Sequence, residues 1–141
     1  MILNNTCDLP DDRLDFVTAA PVVDFNNYLE FERERRLRGK STVENLERRR
    51  IEDSLQEFGR VLRNNDKTEL LYLPPFSEFT HGALVLLHLV CSVSARLYHD
   101  ALRQNRRAAS FTQTGFYFLR IKLTTHLARA ETTEVVRREN P

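Results

Sequence analysis

Apolar residues first recur at helical spacing at Phe25, Tyr28 and Leu29, directly behind Asp24, whose carboxylate suits a helix N-cap. They predict a helix from 24 to about 38 that fades into "ERERRLRGK" and is ended by Gly39. Glu32 with Arg36 and Glu34 with Arg38 stand in the favourable i,i+4 order and support that charged half in water. Ser41 followed by Glu44 forms a capping box. Ile51, Leu55, Phe58 and Leu62 then repeat every three or four residues until Asn64-Asn65-Asp66, so a second helix is expected over about 42–63. "TELLYL", ended by Pro74-Pro75, reads as a short buried strand, because the missing proline donors begin where pairing must stop.

The longest apolar run follows, and the pattern predicts a buried helix from near Ser77 or Thr80 to at least Ser94. "ARLYHDA" fits either a strand or a helical continuation to Gln104. "NRRAASFTQTG" is a loop. "FYFLRIKL" alternates strictly, with Tyr117, Leu119, Ile121 and Leu123 on one face and Phe116, Phe118, Arg120 and Lys122 on the other, the pattern of a strand. Residues 125–138 form a weakly amphipathic helix. Residues 1–21, with Pro10 and Pro21, lack periodicity and read as an acidic flexible leader. The expected class is α+β: a small mixed sheet packed against helices and preceded by one or two long charged helices. The expected division is a leader (1–21), a charged helix (22–41), an α+β core (42–124) and a C-terminal helix or tail (125–141).

Composition narrows the class. A chain of 141 residues, 41% hydrophobic and 29% charged, fits one folded domain, and a total of nine glycines and prolines leaves no room for long flexible linkers. Cys7 and Cys91 make no disulfide framework, and "MILNNTCDLPDD" is not a basic-then-apolar leader, so an intracellular setting is expected, cytoplasm and nucleus undistinguished. Between Glu78 and Arg96 there is no Asp, Glu, Lys or Arg, but two histidines, a glycine and several hydroxyls favour a buried segment over a membrane span. Charge is unevenly placed: residues 1–32 carry a net −6 and residues 33–141 a net +7. A basic body beside an acidic leader suits a polyanion-binding surface that the leader could cover; a solvated tail beside ordinary surface charge is the plain alternative.

Three constellations bear on function. On an uninterrupted helix His81, His88 and His99 fall on one face, with Ser92, Arg96 and Arg103. His81 and His88 would then lie roughly 10 Å apart, too far for one metal ion and better suited to repeated phosphates. The plain alternative is a half-buried helix showing its polar side to solvent. On the expected strand, Phe116 and Phe118 are spaced to stack on neighbouring bases while Arg120 and Lys122 follow the phosphates; alternatively both rings are core. Arg48-Arg49-Arg50 and "RERRLRGK" form a basic segment with interleaved acids. No glycine-rich phosphate loop, metal-ligand motif or nucleophile elbow occurs, and Cys91 in an apolar setting lacks what activates a thiol, so catalysis, cofactors and metals are not expected.

"IEDSLQEFGRVL", "LLYLPPFSEF", the apolar segment and "FYFLRIKL", about residues 42–124, together resemble the R-three-H domain, an α+β module associated with single-stranded nucleic acids. Its naming Arg-x-x-x-His motif is not intact: matched from Pro74-Pro75, His81 stands where the arginine would and Val85 where the histidine would, and matched on His88, Leu84 stands in the arginine position. "LLYLPPF" and "TGFYFLRI" also resemble the two strand motifs of the RNA recognition motif, with Tyr72, Phe116 and Phe118 at stacking positions. Both resemblances imply single-stranded nucleic acid. The expectation is therefore a non-catalytic binder, RNA ahead of DNA, using Phe116, Phe118, Arg120, Lys122, His81, His88 and Arg96. The alternative is a protein-interaction adaptor or self-associating scaffold that uses the helices of 25–63 and has lost that site.

Overall fold

A computed structural model describes Met1 and residues 15–38, 45–104, 106 and 110–135, with side chains as far as Ala128. In chain order the elements are β1 (Phe16–Ala19), β2 (Val22–Asp24), α1 (Phe25–Leu37), α2 (Asn45–Arg63), β3 (Leu70–Leu73), β4 (Ala83–Leu86), β5 (Cys91–Ser94), α3 (Ala95–Arg103) and α4 (Gln113–Val135), with a 3-10 turn at Leu87–Leu89. The fold is α+β, and every strand pair is antiparallel: β2-β4-β3 form a three-stranded sheet and β1-β5 a two-stranded ribbon.

The two sheets are one long hairpin-like pairing with a step in it. Ala19 faces Cys91 and Val22 faces Val85, so Ala20 and Pro21 lie opposite the five residues 86–90. The surplus coils into the 3-10 turn at Leu87–Leu89. Pro21 has no N–H to give the ladder, but its carbonyl still accepts from the Leu86 N–H at 3.0 Å. Residues 15–21 thus enter the fold as strand and linker; residues 2–14 lie outside the described residues.

Helices cover both faces of the three-stranded sheet. On one face Leu70, Leu84 and Leu86 pack with Phe25 of α1 and Leu62 of α2, bordered by Tyr28, Leu29 and Phe58. On the other, Ala20, Leu71, Val85 and Leu87 pack with Leu119 of α4, bordered by Phe116 and Leu123. Period-2 alternation therefore feeds two cores at once, and Ala83–Leu87 are buried without exception.

That arrangement explains the first correction. The segment expected as a helix over 77–94 is a turn, β4, the 3-10 turn and β5. A central strand covered on both faces must be apolar at every position, and such a run has no period by which to distinguish it from a buried helix. Gly82 admits the chain to β4 at φ +88°, where a Cβ would lie 2.6 Å from the Leu73 carbonyl oxygen and from the Tyr72 hydroxyl.

The second correction is the mirror image. "FYFLRIKL" is not a strand but the N-terminal half of α4, with Phe116, Leu119 and Leu123 at i, i+3 and i+7 on the sheet. Arg120 and Lys122 stand two apart, which creates the alternation; the exposed sheet face selects the helical reading because only that reading gathers Phe116, Leu119 and Leu123 into one stripe.

Elsewhere expectation and structure agree more closely. Asp24 caps α1, its Oδ1 accepting from the N–H groups of Asn26 and Asn27 at 2.9 and 3.0 Å. β3 occupies the strand expected before Pro74-Pro75, and α2 runs to Arg63; Ser41 and Glu44 of the capping box lie outside the described residues. The i,i+4 pairs of α1 are replaced by i,i+3 pairs, Glu32 with Arg35 at 2.8 Å and Glu30 with Arg33 at 3.2 Å. Arg33 also meets Glu52 of α2 at 2.8 Å, and Arg36 donates to Ser54 Oγ at 2.9 Å, because α2 supplies better-placed acceptors. "ARLYHDA" is helical, within α3.

Candidate interaction surface

The residues expected to bind nucleic acid are dispersed. Phe116 and Phe118 lie on α4 about 200° apart around the helix, so they form no common platform. Phe116 is half-buried against the sheet, and Phe118 is 44% exposed on another side. Arg120 is exposed, its guanidinium 6.0 Å from the Phe116 ring centre. His81 occupies the turn before β4, with Nδ1 3.1 Å from Thr80 Oγ1. Arg96 is exposed in the first turn of α3. The histidine row does not exist, since His81, His88 and His99 sit on a turn, a 3-10 turn and a helix respectively.

Lys122 and His88 alone converge, and they meet backbone. The Lys122 ammonium is buried and donates to the Leu70 carbonyl at 2.6 Å and to the Lys67 carbonyl. His88 Nδ1 lies 3.3 Å from the Glu69 carbonyl oxygen between them. Burial pushes the Lys122 pKa below its ordinary value, with the charges of Glu69 and Asp66 partly opposing. The pair tie α4 and the 3-10 turn to the start of β3; the Lys122 ammonium is turned away from solvent, whereas the His88 side chain stays exposed.

The elements behind both family resemblances also differ from those the sequence pattern predicts. A strand, β4, follows Pro74-Pro75 where the apolar segment is expected to be a helix. The second stretch likened to an RNA recognition strand is α4, and Tyr72 turns inward, packing edge-on against Phe25 with ring centres 5.3 Å apart. Compared with known proteins, the chain matches no family model, no curated protein and no solved structure.

What sequence reasoning missed is the outer side of α4. At 100° per residue, an arc of about 120° from Thr124 through Tyr117, Ala128, Ile121 and Thr125 to Phe118 carries no charged residue. Arg120 borders it, with Leu127 beyond. Tyr117, Phe118, Ile121 and Leu127 are 54, 44, 65 and 51% exposed. The signal was available: in residues 113–128 only Arg120 and Lys122 are charged, so a helical reading of that stretch is apolar on two sides.

A second surface is electrostatic. Arg38 at the end of α1 and Arg48, Arg49 and Arg50 near the start of α2 are all exposed. An open hollow of about 470 Å³ beside them is lined by Asn45, Arg48, Arg49, Glu52 and Asp53. Among the described residues there is no group of three His, Cys, Asp or Glu side chains placed to hold a metal ion, and no helix is long and apolar enough to cross a membrane.

Proposed function

We propose that the protein is a non-catalytic interaction domain that pairs with a second copy of itself through the outer face of α4. The observation that carries this reading is the exposure of Tyr117, Phe118 and Ile121 on a charge-free arc of a helix whose opposite side is already committed to the core. A helix apolar on both sides belongs inside an assembly. This moves the self-associating surface from the 25–63 helices, whose outward faces are strongly charged, to α4.

Shape and area favour a second copy as the occupant. The arc carries Tyr117 and Phe118 at its N-terminal end and Thr124, Thr125 and Ala128 at its C-terminal end. An antiparallel two-fold pairing therefore sets large against small: Tyr117 opposite Ala128 of the second copy, Ile121 near its Thr124. The two Arg120 side chains then stand opposite threonine rather than each other. Taking about 150–250 Å² for a large exposed side chain, the three exposed apolar residues of the arc offer roughly 250–400 Å² per copy. With the threonines and Ala128, a pair reaches the order of 1,000 Å², where stable interfaces begin.

Light scattering tests the reading. The wild-type chain should show twice its 16.5 kDa mass at micromolar concentration, and Ile121→Glu should show the single mass. Leu46→Glu, which removes an apolar residue just as exposed but on α2, should leave the dimer intact. A wild-type monomer at these concentrations, or an Ile121→Glu dimer, would refute the proposal.

A further inference from the structure

Among the described residues, some arginines of this fold are engaged and others are not: Arg63 and Arg120 lie near the Phe25 and Phe116 rings, Arg96 and Arg106 stand singly, and the rest fall in two sets. Arg33, Arg35, Arg60 and Arg103 each hold a carboxylate, and Arg36 bonds Ser54 while lying over the Phe58 ring at 5.4 Å. Arg38, Arg48, Arg49 and Arg50 do none of this among the described residues, although they are as exposed and as long. Over 33–38 and 45–50 there are seven arginines and two acids, Glu34 and Glu47.

Arg48, Arg49 and Arg50 occupy consecutive positions of α2. Arg38 directly follows the last residue of α1. The pairing of Arg33 with Glu52 and of Arg36 with Ser54 places the end of α1 alongside this part of α2, so the four side chains gather at one end of the helical hairpin.

We infer that this end of the α1–α2 hairpin, through Arg38, Arg48, Arg49 and Arg50, binds the sugar-phosphate backbone of a nucleic acid without reading its sequence. Three consecutive helical residues point 100° apart, so the group presents charge over most of the helix circumference and fits an extended polyanion better than a compact anion. The guanidinium fork matches phosphate oxygens in pairs. Of the two carboxylates that line the adjoining hollow, Glu52 is held by Arg33, and Asp53 is the other. The site is independent of the α4 pairing: α4 lies on the opposite face of the sheet.

The test is fluorescence anisotropy with a labelled 20-nucleotide oligo-dT and a 20-base-pair duplex over 50–200 mM salt. Four phosphate contacts on a single strand predict that affinity falls about 50-fold across that range. Arg48→Gln/Arg49→Gln/Arg50→Gln should weaken binding at 50 mM about tenfold or more and flatten the salt response to about threefold. Glutamine keeps the helix propensity of these positions, and far-UV circular dichroism checks it. If the triple variant loses helicity, Arg49→Gln alone carries the test, with the salt slope reduced by about 0.7. The matched variant Arg60→Gln/Arg103→Gln/Arg106→Gln, which removes the same charge elsewhere, should bind within about twofold of wild type. Undetectable binding at 50 mM, equal loss in the matched variant, or competition by polyglutamate as effective as by oligo-dT would overturn the inference, the last in favour of an acidic protein.

Discussion

The two faces of the three-stranded sheet are covered by helices of opposite character. Over one face, α1 and α2 set Phe25, Leu62 and Leu29 inward and turn Glu30, Arg35, Glu57, Arg60 and Arg63 to solvent, with Phe31 and Leu46 as isolated apolar exceptions. Over the other, α4 sets Phe116, Leu119 and Leu123 inward and turns Tyr117, Phe118 and Ile121 outward. An amphipathic cover completes a surface, whereas a cover apolar on both sides is an inner layer. The difference is one of surface chemistry: the α1–α2 side presents mainly charge to solvent and the α4 side presents apolar side chains, the feature on which the proposed pairing rests.

The comparison makes a graded set of expectations. Leu84→Ala, at a fully buried position of the α1–α2 core, should cost about 2–5 kcal/mol in urea unfolding, the range for a large-to-small change with a residual cavity. Leu119→Ala should fall at the lower end of about 2–5 kcal/mol, because one helix rather than two lines that side. A Leu119→Ala cost equal to or above that of Leu84→Ala would break the asymmetry.

Lys122→Met comes next. It removes the donor that holds the Lys67 and Leu70 carbonyls, at about 1–3 kcal/mol. The same lysine carries a pH signature. Because burial lowers its folded pKa below the ordinary 10.5, the unfolded chain binds the proton more tightly, and raising the pH through the folded pKa toward 10.5 favours the folded state. The stability of wild type relative to Lys122→Met should therefore rise as the pH climbs toward 10.5; a flat or falling difference would mean that the amine is not desolvated. Asp24→Ala, which strips the α1 cap, should cost about 1 kcal/mol. Ile121→Glu should change the stability of the dilute protomer by no more than about 0.5 kcal/mol, since the side chain touches little within one copy.

Legibility in the sequence followed the same divide. Asp24 and the stripe Phe25, Tyr28 and Leu29 announce α1, and Ile51, Leu55, Phe58 and Leu62 announce α2, because a helix with one wet side writes its period into the chain. "TELLYL" with Pro74-Pro75 marks β3 by its punctuation. β4 and α4 were exchanged, strand for helix and helix for strand, because each is apolar on two sides and so carries no single period. The candidate site suffered most from that exchange. Phe116, Phe118, Arg120 and Lys122 share a face only if the segment is a strand, and the histidines align only if 81–99 is one helix. The basic stretch around Arg48-Arg49-Arg50 was visible from the start, but not which of its arginines lack a carboxylate.

The central claim, that the outer face of α4 pairs antiparallel with its own copy about a two-fold axis, is tested most directly by mixing two single-cysteine chains. In a Cys7→Ser/Cys91→Ser background, one chain carries Tyr117→Cys and the other Ala128→Cys. Antiparallel pairing predicts a disulfide-linked dimer in the oxidised mixture and none from Tyr117→Cys alone, whose two copies would place their thiols at opposite ends of the interface. No cross-link in the mixture, or an efficient one from Tyr117→Cys by itself, would contradict the account.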